Sequence, residues 1–161
     1  MIVSNSSPII ILGKQGILEL LKRCFKKVII PKSAYEEIMQ KKDSTEVIAL
    51  NKAINDGWII VKEIDINSIL QTKNIGQGEK EAISLAAKYK SILFIDDDIA
   101  KKYASLLNVE CHGALYVVYL SVLKRFINKQ QAKNIFENMI KDGFYVSTEI
   151  YAKFLEFLDK L

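Results

Sequence analysis

Three adjacent carboxylates, Asp96, Asp97 and Asp98, follow the apolar run Ile92-Leu93-Phe94-Ile95. Like charges packed side by side repel, so the cluster needs a purpose. One purpose is helix capping, where Asp is favoured and each charge gains about 0.3–1 kcal/mol against the helix dipole. A single Asp does that. The other is a hard cation. Carboxylates without His or Cys beside them suit Mg²⁺ or Mn²⁺, and with only one histidine, His112, a multi-histidine zinc site is excluded. Such an ion activates a water and stabilises the charge on a phosphodiester in transit. Further oxygen ligands are offered by Asn5 behind Ile2-Val3-Ser4, by Glu37 in "SAYEEI" and by Glu79 in "GQGE". No phosphate-binding GxxxxGK[ST], no GxGxxG and no nucleophile elbow occurs, so nucleotide-cradling and acyl-transfer chemistry lack their residues.

Whether these side chains can meet depends on the elements that carry them. Short β-type runs alternate with longer helical patterns: 2–4, 27–30, 58–64, 91–95 and 109–111 read as strands. Between them, Ser7-Pro8 reads as N-cap and first position of a helix over 9–14, and "ILELLKR" as a second helix. Ser33 and Glu36 have the spacing of a capping box, followed by helices over "STEVIALNKAIND", 79–90 and 98–107. Asn108 suits a left-handed stop, and helices over 113–126, 129–141 and 148–160 complete the chain, the last capped by Ser147. Strands alternating with helices predict an α/β fold, three layers α/β/α, with a central parallel sheet of about five strands.

In such a sheet the C-terminal strand ends share one rim, and helices that follow strands start there. Asn5 ends the first strand, and Glu37 lies in the early turns of the helix after the second. Glu79 opens the helix leading into the fourth strand, and Asp96, Asp97 and Asp98 end that strand. Separate segments therefore send oxygen ligands to one edge. Taken singly, Glu37 and Glu79 are better read as solvated first-turn acids; their convergence with Asp97 favours a site.

With 161 residues, half of them hydrophobic and a quarter charged, the chain reads as a single domain over 1–161 with an ordinary globular composition. A formal charge of +4 mildly favours an anionic partner, although the basic pairs such as Lys101-Lys102 are better read as a solvated helix face. Two cysteines without metal-ligand spacing and no secretory signal or membrane-length apolar run point to a reduced, cytoplasmic setting.

The stretches "VSNSSPIIIL", "VIIPKSAYEEI", "GQGEKEAISLA" and "FIDDDIAKKYA", with "HGALYVVYL" and "GFYVSTEIY", resemble the PIN-domain superfamily. They are most similar to a prokaryotic branch related to the toxin nucleases of toxin–antitoxin pairs, and the likeness spans nearly the whole chain. The resemblance implies Mg²⁺- or Mn²⁺-dependent cleavage of single-stranded RNA. An antitoxin protein and a second copy of the chain are its candidate partners; a membrane is not. By position, Asn5 stands where most active members have Asp, with Ser7 as its orienting hydroxyl. Glu37, Glu79 and Asp97 match the other acids, with Asp96 adjacent and Asp98 in a variable place. His112 falls where that branch commonly has hydroxyl residues around a glycine; it reads as a packing residue, with a phosphate contact or general base as the alternative. Asn5 removes one negative charge from the site, so a module that binds without cutting is the rival reading.

Overall fold

The computed structural model describes residues 1–161. Its centre is a five-stranded, all-parallel sheet: β1 (Ile2–Ser4), β2 (Val28–Pro31), β3 (Ile59–Lys62), β4 (Leu93–Phe94) and β5 (Cys111–His112). The strand order is β3-β2-β1-β4-β5, with Val3 opposite both Ile29 and Leu93. Side chains alternate across the pleat. Ile2, Val28, Ile30 and Phe94 enter one core, whereas Val3, Ile29, Leu93 and Ile95 enter the other. The first core is covered by α1 (Ser6–Lys14), α2 (Leu18–Phe25), α3 (Lys32–Met39), α4 (Thr45–Asn55), α7 (Ala114–Leu123), α8 (Lys129–Lys141) and α9 (Thr148–Lys160). The second is covered by α5 (Gln77–Tyr89) and α6 (Asp98–Leu106). This is the expected three-layer α/β/α arrangement.

Several local expectations shift. Asn5, not Ser7, holds the N-cap position of α1: its N–H still bonds to Phe94 across the sheet at 2.9 Å, and the helix begins at the next residue. The capping box at Ser33 does not form. Pro31 stays in register with Lys62 as the last residue of β2 and becomes the N-cap itself, so Ser33 lies inside the first turn of α3. The fifth strand starts two residues late, because Val109 still bonds back to Ala104 in closing α6, with Asn108 in the left-handed region at φ 56°. Ser147 caps α9 as expected, accepting from the Ile150 N–H at 3.2 Å.

Gly13 does not interrupt α1; it lets α4 approach. A Cβ there would stand 2.8 Å from Glu46 Cβ and 2.9 Å from Glu46 Cα. Gly13→Ala is therefore expected to force the two helices apart, costing about 1–3 kcal/mol, the usual range for overpacking. A urea denaturation midpoint unchanged from the natural protein would contradict this.

Candidate metal and nucleic-acid site

The sequence of α1 explains how the rim is assembled. Asn5 leaves β1 in an extended conformation, and Ser6 and Ser7 then occupy the first helical turn, which faces the C-terminal strand ends. Ser6 Oγ donates to Glu37 Oε2 of α3 at 2.7 Å, and Ser7 Oγ donates to Asp96 Oδ2 at 3.5 Å. One turn of α1 thus holds an acid on either side. Asp96 Oδ1 in turn accepts from the Ala114 N–H at 3.0 Å, at the start of α7. Burial pushes the Asp96 carboxyl above the usual Asp range, opposed by the Ala114 N–H, by Lys101 and by Ser7.

Opposite α1, the first turn of α5 closes the rim, with Gly78 facing it. The point where a Gly78 Cβ would stand lies 3.6 Å from Asn5 Oδ1, 3.7 Å from Ser33 Oγ and 4.0 Å from Glu37 Oε2. Asn5 is 3% exposed, and neither its Oδ1 nor the buried Ser33 Oγ has a hydrogen-bond partner. Leaving a buried polar atom unsatisfied costs about 1–3 kcal/mol. Two such oxygens beside a carboxylate, around a gap with no side chain in it, mark a place for a ligand that accepts oxygen lone pairs.

The oxygen-only donor set fits a hard divalent cation. Mg²⁺ takes one or two carboxylates and keeps several waters, which matches Glu37 beside the Asn5 carbonyl with Asp96 across the Ser6-Ser7 turn. It does not resemble a site built from many acids: no three His, Cys, Asp or Glu side chains stand together as a ready-made metal cage.

The remaining sequence candidates lie close by in different roles. Asp97 is the N-cap of α6, its Oδ1 accepting from the Ala100 N–H at 2.7 Å. Asp98 is exposed and 3.9 Å from Lys101 Nζ. Of the three, then, Asp97 does the capping and Asp96 turns to Ser7. Glu79 lies in the first turn of α5 as expected, but its carboxylate folds back over Gly76. His112 stacks on Tyr116, ring centroids 3.8 Å apart, and its Nε2 is 2.7 Å from Glu110 Oε1. Ser6, Ser33 and Gly78 escaped the sequence reading. The hydroxyl run "SNSS" at a strand end was the available signal for Ser6; nothing local distinguishes Ser33 or Gly78 until α3 and α5 are seen to meet.

The raised Asp96 pKa makes a prediction for the metal-free protein. The folded state holds that proton more tightly than the unfolded chain, whose Asp pKa is about 3.9. Ionised Asp96 therefore costs stability above its folded pKa, and the cost fades as pH falls through that pKa toward the unfolded value. Asp96→Asn, whose amide can still accept from Ala114 and donate to Ser7, is expected to raise the melting temperature in EDTA at neutral pH. The advantage should shrink in acid. A gain independent of pH, or a loss at neutral pH, would contradict the assignment.

The family described as DUF3368, a PIN domain, matches residues 1–160. Among solved structures, the chain is similar to a PilT N-terminus domain protein from the hyperthermophilic archaeon Sulfolobus solfataricus P2. The TM-score is 0.53 at 19% identity, covering 76% of this chain and 94% of that one, which is a likeness of fold. No curated protein sequence matches the chain.

Proposed function

Because the chain belongs to the PIN-domain family, we propose that it is a divalent-metal-dependent ribonuclease acting on single-stranded RNA. The observation that carries this reading is the unsatisfied pair of Asn5 Oδ1 and Ser33 Oγ facing Glu37 across the Gly78 gap. Asn5 and Glu37 would hold the ion, and Glu79, in the first turn of α5, would have to turn away from Gly76 to join them. A bound Mg²⁺ or Mn²⁺ supplies Lewis acidity at the phosphodiester and lowers the pKa of a water. Ser6 orients the Glu37 carboxylate, and Ser7 orients Asp96. Asp96, whose burial raises its proton affinity, stands ready to orient the attacking water and accept its proton at Oδ2.

A second reading is favoured by one residue. Asn5 supplies a neutral carbonyl at a buried position where an acid would add charge, and a weakened site would leave a module that grips RNA or a protein without cutting.

The test is cleavage of end-labelled single-stranded RNA with Mn²⁺ or with EDTA, beside duplex RNA and single-stranded DNA. Metal-dependent cleavage of the RNA strand is expected, abolished by Asp96→Asn. Asp97→Asn serves as the comparison, since Asn caps a helix as well as Asp does, and it should still cut. Growth arrest on induced expression, absent in Asp96→Asn, would extend the reading to a toxin that an antitoxin protein restrains. RNA binding without cleavage would favour the second reading.

A further inference from the structure

Next to Asp96 the rim opens into a cavity of about 560 Å³, bounded by α1, the start of α7 and the α8–α9 turn. That volume lies within the 300–1,000 Å³ usual for small-molecule sites. Tyr116 lines the cavity, held in place by the stack on His112. The outer edge is the turn after α8, where Gly143 takes φ 94° and Gln15 Nε2 donates to Asp142 Oδ2, tying the turn to α1. This brings Tyr145 to the cavity mouth with 89% of its surface exposed. An aromatic ring left in water at the edge of a half-apolar cavity has no packing role to explain it. Two cations share the mouth. Lys14 is exposed and makes no ion pair; Lys101 lies 3.9 Å from the exposed Asp98 and also acts on the Asp96 carboxylate.

A flat ring and two lysines lining one cavity, which opens onto an acid of the proposed cleavage site, have the chemistry that single strands require. Bases stack on exposed aromatic rings while ammonium groups track the phosphates. A duplex keeps its bases stacked inside and cannot present one. We propose that this cavity is a nucleobase subsite: one base of a single-stranded RNA stacks on Tyr145 and enters toward Tyr116, and Lys14 and Lys101 hold the adjoining phosphates. The subsite rests on the ribonuclease reading for its role, which is to choose the base beside the cleaved bond. Binding itself does not require cleavage.

The test is equilibrium binding of a short single-stranded RNA in EDTA, so that no turnover intervenes. Tyr145→Ala is expected to weaken binding about 5- to 160-fold, the span of one base–aromatic stack. Tyr145→Trp should bind as well as the natural protein, and its emission should be quenched by the RNA but not by the same strand made abasic. Trp58, buried at 4% exposure, gives a constant background. Unchanged affinity in Tyr145→Ala, or equal quenching by the abasic strand, overturns the subsite and leaves the cavity to a protein partner. The two readings fail separately. Tyr145-dependent binding with no cleavage in Mn²⁺ keeps the subsite and removes the nuclease. Cleavage with binding indifferent to Tyr145 does the reverse.

Discussion

Gly78→Ala is expected to fold at least as well as the natural protein and to lose its response to Mn²⁺. The new methyl would stand 3.6–4.0 Å from Asn5 Oδ1, Ser33 Oγ and Glu37 Oε2, an ordinary contact that displaces nothing. Gly78 also lies within α5, where replacing Gly with Ala gains up to about 1 kcal/mol. Yet the methyl fills the gap those oxygens surround. An ion bound only by the folded state adds about 2.7 kcal/mol at a hundred times Kd, or roughly 5–10 °C in a chain of this size. The natural protein should show that rise in Mn²⁺, and Gly78→Ala should show none. RNA cleavage should fall by at least about 10–100-fold, as when the surroundings of a metal are disturbed. Stability and function would move in opposite directions. A Gly78→Ala protein that keeps its Mn²⁺ shift would place the ion elsewhere.

Asn5→Asp should move the same quantities the other way. In EDTA the new carboxylate is buried beside Glu37, with the Ser33 hydroxyl as its one neighbouring donor. Stability there should drop by at least about 1–3 kcal/mol, since an unsatisfied buried group costs that much when neutral and more when charged. With Mn²⁺ the added negative charge faces a cation, and near a protein surface such attractions reach a few kcal/mol before desolvation is subtracted. The Mn²⁺ concentration for half-maximal cleavage should fall about 10–100-fold, each factor of ten being about 1.4 kcal/mol. Cleavage by both proteins, better with Asp, supports a working nuclease with a weakened site. Cleavage by the variant alone supports a binding module. If neither cuts while both bind the metal, the proposed chemistry is wrong.

Much of this was legible in the residues because the signals are local or follow from connectivity. Apolar runs such as Val28–Ile30 and the helical periods between them define the layers, and the parallel sheet then sends Asn5, Glu37, Glu79 and the aspartates toward one rim. What was not legible depends on contacts between elements. Ser33 has the spacing of a capping box, but Pro31 remains paired with Lys62 and takes the cap, which frees the Ser33 hydroxyl to face Asn5. Asp96 and Asp97 are chemically identical in sequence. Only the start of α6 at Asp98 makes one the cap and turns the other to Ser7. Gly78 carries no signal in the sequence, yet it is a helical position whose missing side chain leaves the space beside the oxygens open. The cavity edge at Tyr145 belongs to a turn whose placement is set by Gln15, more than a hundred residues earlier.

The most direct measurement is anomalous scattering from crystals of the natural protein soaked in Mn²⁺. A single strong peak between Asn5 Oδ1, Glu37 and the first turn of α5 is expected, absent from crystals of Gly78→Ala treated alike. A peak confined to other surface carboxylates, with Asn5 Oδ1 and Ser33 Oγ still unpartnered, would contradict the assignment of this rim as the metal centre.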